Sequence, residues 1–415
     1  MTVSQPSSMP AQSAPIQAEP APSGPAQTHW LAVAAVLAAG VIISMQVGKL
    51  PPLLNTLRSE FGLDLVTGGL LASSVSLLGG IIGIAAGFIS DRIGGRRSLA
   101  LGLAIGAIGS LAGAFSLSAL PLLAARLLEG LGFVLTVVSG PSLIAMAARP
   151  DQRHLALGFW SSYMPLGVTL GMLGALLVGN LFDWRGLWLA MAGVLFVAAI
   201  VLYRLTDGIA QPRARRFSAA ALRRPGPWLL AGCFACYTTQ WFSIVTWMPT
   251  YLHQSGHLGD TGIALGTAAV VLVNAVGTTA AAGLMHRGLP RWLLIAGAGM
   301  VMAIFGLLSF GPDMPVAGKI ACAMAASGFG GMLPSAVLAS VPVEARDPGE
   351  IATVNGVVIQ LLNIGSFAGP PALAVLVTWF GGWENGRWLL PVAGLASMAL
   401  ALGLRATERQ RRHAA

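Results

Sequence analysis

Long apolar runs recur along nearly the whole chain, each closed by a short cluster of Gly, Pro and charged residues. A helix needs roughly 20 apolar residues to cross a ~30 Å hydrocarbon core. Twelve such runs can be placed, beginning near Trp30, Val66, Ser98, Pro121, His154, Trp184, Pro227, Thr261, Arg291, Val316, Glu350 and Arg387. The pattern predicts an all-α polytopic membrane protein of twelve transmembrane helices. Composition agrees: 55% of residues are hydrophobic, 9% are charged and the mean hydropathy is +0.75, beyond what an ordinary soluble domain carries.

Polar interruptions divide the chain. Residues 1–29 are rich in Pro, Ala, Ser and Gln and contain no Lys or Arg. They lack the basic start of a secretory signal and read as a disordered cytoplasmic tail. A six-helix half over 30–205 is followed by a basic cytoplasmic linker, 206–226, that carries Arg213, Arg215, Arg216, Arg223 and Arg224. Such a linker suits anionic lipid headgroups. A second six-helix half then spans 227–405, and 406–415 forms a cytoplasmic C-terminal tail.

The net charge of +9 suggests nucleic acid only until its distribution is drawn. With the amino terminus cytoplasmic, eighteen arginines from Arg92 to Arg412 fall inside, while the opposite side holds only Arg58, Arg185, Lys319 and Arg387. The positive-inside rule accounts for that asymmetry, so both termini are expected in the cytoplasm of a cell inner membrane protein with no nucleic-acid partner. Lys49 and Arg126 remain, inside predicted spans. Cys233, Cys236 and Cys322 also lie in apolar helices; without His or further Cys nearby they read as buried small side chains, and no metal, cofactor or disulfide is expected.

The halves repeat at an offset of 198: Gly130 maps to Gly328, Gly132 to Gly330, Pro150 to Pro348, Gly158 to Gly356 and Gly171 to Gly369. Two related halves are an arrangement of secondary transporters, with substrate bound between them at mid-membrane.

The segment from Gly87 to Arg97 packs four charges between two apolar runs. It resembles the loop signature of the major facilitator superfamily, Gly-x-x-x-Asp-Arg-x-Gly-basic-basic, through Gly87, Asp91, Arg92, Gly94 and Arg96, with Arg97 one place further on. Gly95 stands where the family usually has a basic residue, which leaves the partner of Asp91 undefined. Arg126 to Gly132 resembles a second signature, Arg-x-x-x-Gly-x-Gly. The resemblance covers nearly the whole chain from Trp30 and implies two pseudo-symmetric six-helix halves. The order of features is also similar to the cyanate and nitroimidazole transporter branch, on no diagnostic motif.

The resemblance makes the loop a conformational latch, with Asp91 meeting the positive end of the eleventh helix near Glu350. The residues point the same way. Gly79, Gly83 and Gly87 leave one face of the second helix bare for another backbone, and an anion at a helix N-terminus gains ~0.3–1 kcal/mol. The plain alternative is a solvated turn. Arg126 and Glu129 stand one helical turn apart and are expected to pair; the pair reads as structural or conformational, and because the resemblance links Arg126 to proton coupling the two are coupling candidates as well. Lys49 precedes Pro51 and Pro52, where the helix is expected to kink or end, with no carboxylate nearby in sequence. It reads either as the counter-ion of an anionic substrate or as a lysine snorkelling to the outer headgroups.

Gln46, Tyr163, Tyr237, Gln240, Asn274, Asn355, Gln360 and Asn363 interrupt apolar spans and need partners away from lipid. With Lys49 and Trp241 they are the candidate substrate-binding residues. Gly167, Gly171 and Gly174 share a face of the fifth span, without the Gly-Pro pair frequent in the family's exporters. No ATP-binding signature and no catalytic constellation occurs. The expectation is a secondary transporter, not an enzyme, that works as a monomer by alternating access and takes up a small organic anion with a proton; the alternative is a proton-driven efflux antiporter for a drug or metabolite.

Overall fold

The computed structural model describes residues 27–179, 182–209, 219–255, 258–345, 347 and 350–414. Among these residues the chain forms twelve long helical segments. They are α1 (Trp30–Phe61), α2 (Leu65–Ile93), α3 (Gly95–Ala114), α4 (Ala119–Ala147), α5 (Arg153–Val178), α6 (Trp184–Leu205), α7 (Pro225–Gln254), α8 (Asp260–His286), α9 (Arg291–Ser309), α10 (Val316–Glu344), α11 (Ile351–Phe380) and α12 (Trp383–Thr407). Their starts fall within a few residues of those read from hydropathy. Eleven are long and apolar enough to cross a membrane. The twelfth, α7, is diluted by Thr, Gln, Ser, Tyr and Trp, and from Gln240 to Leu252 every residue is buried.

The prolines at 51 and 52 stand where a kink or an end is expected, and the helix does break there, at Lys49. Lys49 keeps helical dihedrals, its N–H donates to the Met45 carbonyl, and the helix resumes at Leu50 and runs to Phe61. Proline is tolerated in the first turn of a helical segment because its missing donor has no partner there in any case; a break at Lys49 turns Pro51 and Pro52 into first-turn residues. In the other half Pro249, 198 residues after Pro51, lies inside the continuous helix α7. One expectation needs correction: Lys319, counted with the loops of the opposite side, is a helix residue. It sits in the first turn of α10 and is buried.

Close approach of backbones organises each half. Gly167 and Gly171 of α5 lie against the α1 backbone at Val41, Met45 and Lys49, so these two glycines serve helix packing. Across the halves α2 and α11 run antiparallel along their length. Gly69 faces Pro370 and Pro371, Gly79 faces Asn363, and Gly83 faces Gln360. A second contact joins α5 to α8. Large apolar side chains such as Ile108, Leu111, Phe196 and Val197 are exposed on the outer surface, where lipid would cover them.

The tail 1–26 and the linker arginines Arg213, Arg215 and Arg216 lie outside the described residues. Arg224, at the linker's end, forms an ion pair with Glu350 just ahead of α11.

Candidate functional site

Two polar clusters lie in the core, one in each half. In the first, the break in α1 holds Lys49 in the protein interior, and α4 brings Arg126 and Glu129 opposite it. Lys49 Nζ lies 2.7 Å from Glu129 Oε1, and Arg126 donates to Glu129 Oε2 at 2.5 Å. All three side chains are fully buried. Ser110 of α3 donates to Glu129 Oε1 at 2.8 Å and accepts from Gln46 Nε2 at 2.5 Å. Arg126 also donates to the Gln46 carbonyl at 2.8 Å. The ammonium of Lys49 sits 3.9 Å from the ring centroid of Trp188 on α6, so an aromatic face covers the side the carboxylate leaves open. Two cations share one carboxylate. Ionised, the cluster carries one excess positive charge among fully buried side chains.

Lys49 is thus not alone: it is fully buried and paired with Glu129. Its carboxylate comes from 80 residues away, which corrects the picture of an unneutralised cation. Gln46 joins it through Ser110, and Gln46 Oε1 remains buried without a partner.

The second cluster belongs to α7, α8 and α10. Asn274 Nδ2 donates to Tyr237 Oη at 3.1 Å and to the Ser327 carbonyl at 2.8 Å, and Trp241 Nε1 donates to Ser327 Oγ at 3.0 Å. Tyr237 and Trp241 lie with their rings nearly parallel. Ser327 stands 198 residues after Glu129, so the repeat puts a neutral hydroxyl where the first half has its carboxylate. Likewise Trp247 stands 198 residues after Lys49, and it donates to the Pro370 carbonyl at 2.8 Å. The halves share a scaffold and differ in charge. Gln240 is buried on α7 with Oε1 unpartnered.

A sequence profile described as the Major Facilitator Superfamily matches residues 36–370, four-fifths of the chain. The chain belongs to the Major Facilitator Superfamily. Among curated relatives, the galactose-proton symporter of Escherichia coli (strain K12) is 28% identical over 180 residues, 43% of this chain and 38% of its own length. The chain therefore matches less than half of that symporter. The cyanate transport protein of the same strain is 23% identical over 340 residues, 80% of this chain and 84% of its own. Among solved structures, a bacterial homologue of the human lysosomal transporter Spinster, in an inward-facing and occupied conformation, superposes with a TM-score of 0.74 at 15% identity. That match covers 91% of this chain and 96% of the other. The likeness is one of fold.

Within this superfamily fold the remaining candidates separate. Gln360 and Asn363 are packed at the α2/α11 seam, against Gly83 and Gly79, and Asn363 Nδ2 is taken up by the Ile359 carbonyl at 2.8 Å. Asn355 is half-buried on the same helix. Tyr163 stacks on Trp160 at 4.5 Å, and Trp160 fills a notch made by Gly40 and Gly140. These four candidates do not converge with either polar cluster. In the signature loop Arg96 donates to the Tyr203 carbonyl at 2.6 Å, pairs with Asp207 at 2.6 Å and stacks on the Tyr203 ring, which ties the loop to the end of α6. Arg92 and Arg97 are exposed, Gly87 faces Val138, and Gly94 takes a positive φ that a side chain would strain. Asp91 lies in the last turn of α2, and its side chain is outside the described set. Sequence reading missed Ser110, Trp188, Ser327 and Trp160. Only Ser327 had a signal, its place 198 residues after Glu129.

Proposed function

We propose that the chain is a proton-coupled secondary transporter that takes up a small organic anion by alternating access. It does so as a monomer in the inner membrane with both termini cytoplasmic. One observation carries this reading: a fully buried cluster with two cations and one carboxylate. An excess buried charge is expensive, and a bound anion is one way to neutralise it. The neutral cluster around Tyr237, Trp241, Asn274 and Ser327 supplies hydrogen-bond donors, acceptors and aromatic faces from the other half.

The relatives support secondary transport: one is described as a proton symporter and another as a cyanate transport protein. The bare-glycine seam of α2 and α11 supplies a surface on which rigid halves can rock without breaking side-chain interdigitation. No chemical step and no cofactor enters this cycle.

Counterflow tests the reading. Proteoliposomes preloaded with unlabelled cyanate or a short-chain carboxylate should take up the labelled anion transiently above its equilibrium level. Absence of counterflow for every anion tested, with uptake of neutral or cationic compounds instead, overturns the anion assignment.

A further inference from the structure

The chain has 24 basic residues, and only two of them, Lys49 and Lys319, are lysines. Every described surface cation, paired or not, is an arginine or a histidine, while both lysines are buried in helices with the ammonium over an aromatic ring. This partition is informative because the two residue types differ in one relevant property. A guanidinium stays charged in a protein, whereas a buried lysine amine can give up its proton. Arg126 and Lys49 flank the same carboxylate, so the cluster contains one cation that is fixed and one that can be discharged.

We propose that Lys49, rather than Glu129, carries the coupling proton. This rests on the anion-uptake reading above. With Lys49 as the neutral amine, Arg126 and Glu129 form a balanced ion pair and the cluster has no net charge. A proton taken up on the Nζ lone pair gives a net charge of +1, which one monovalent anion offsets. Proton and anion then bind together and leave together, and the loaded and empty cores are both neutral when the halves rock. A carrier with either ligand alone holds an unbalanced charge in hydrocarbon, which opposes the conformational change.

The groups around Lys49 are consistent with this. From α4 come Glu129 and Arg126, from α3 Ser110, from α6 Trp188, from α1 Gln46, and from α5 only Gly171 against its backbone. Among the described residues no other charged group touches the cluster. Glu129 accepts hydrogen bonds from Lys49, Arg126 and Ser110 together.

With only two lysines, the assignment can be observed directly. The full-length protein is labelled with lysine carrying ¹³C at Cε, reconstituted in nanodiscs, and its two resonances are followed across the neutral pH range with and without cyanate. K49R and K319R each delete one resonance and assign the pair, so either variant suffices if the other fails to fold. The Lys49 signal is expected to move from the amine to the ammonium position when cyanate is added at constant pH, while the Lys319 signal stays. A Lys49 signal that remains that of an ammonium throughout, in protein that shows cyanate counterflow, overturns the proposal and leaves the anion reading standing. Without counterflow for any anion, the underlying reading fails instead. In K49R proteoliposomes a pH gradient should no longer drive accumulation; gradient-driven accumulation at the wild-type level also overturns the proposal.

Discussion

At the residue scale the charge cluster makes an asymmetric prediction. Glu129→Ala leaves the buried Arg126 guanidinium without its carboxylate, the situation in which breaking a buried pair costs about 3–5 kcal/mol. Lys49→Met leaves the balanced Arg126–Glu129 pair and fills the same space. Thermal unfolding in detergent should therefore show a large loss of Tm for Glu129→Ala and a small one for Lys49→Met. Equal losses would mean that the cluster is not charged as described. The sequence made half of this cluster legible. Arg126 and Glu129 are three residues apart, and helical periodicity alone puts them together. Lys49, Ser110 and Trp188 come from other helices, and no local rule brings residues 80 positions apart into contact. Trp188 was hidden further by its type, since a tryptophan near a span end reads as an interface anchor.

At the element scale, the helices were the most legible feature because the apolar requirement of the bilayer is so strong. The exceptions have physical causes. Whether α1 kinks or ends at Pro51 stays open in the sequence because a proline there fits both a helix end and the first turn of a resumed helix. Lys319 was assigned to the outside by charge counting, which has no means of recognising a cation packed on the Tyr251 ring, 4.6 Å from its centroid. The α2/α11 seam yields a direct test. A Cβ built on Gly83 lies 3.3 Å from Gln360 Cβ, close to the separation a disulfide spans. Gly83→Cys with Gln360→Cys should crosslink on mild oxidation, shift the band on non-reducing gels and arrest transport until reductant is added; full activity while crosslinked would show that the seam does not open.

Between α1 and α2, Asp64 caps the second helix, accepting the Thr67 N–H at 2.7 Å. That hydrogen bond holds its carboxyl below the usual carboxylate range. A carboxylate whose pKa is depressed by folding contributes stability above its unfolded pKa, and that contribution is lost as pH falls through the folded value. Acid unfolding followed by Tm should be less steep in Asp64→Asn, which keeps the cap and removes the titration; an unchanged pH slope would show that the cap does not respond to protonation.

At the scale of the molecule, two halves of related backbone carry different chemistry: charge in the first, neutral polar and aromatic groups in the second. The positions 49 and 129 are charged, whereas 247 and 327 are Trp and Ser. At these four positions the repeat keeps the frame and changes the charge. On this account the first half senses the proton and the charge of the cargo, while the second contributes shape and hydrogen bonding. Replacing Tyr237 or Asn274 should then change which anion is accepted while leaving proton dependence intact, read as competition profiles at several pH values.

The most direct test of the central claim is accumulation of labelled cyanate or a short-chain carboxylate in proteoliposomes under an imposed pH gradient, acid outside, with the membrane potential clamped at zero. Coupled uptake predicts accumulation above the equilibrium ratio that collapses when a protonophore is added. Uptake that reaches only the protein-free level, or that is unaffected by abolishing the gradient, would contradict it.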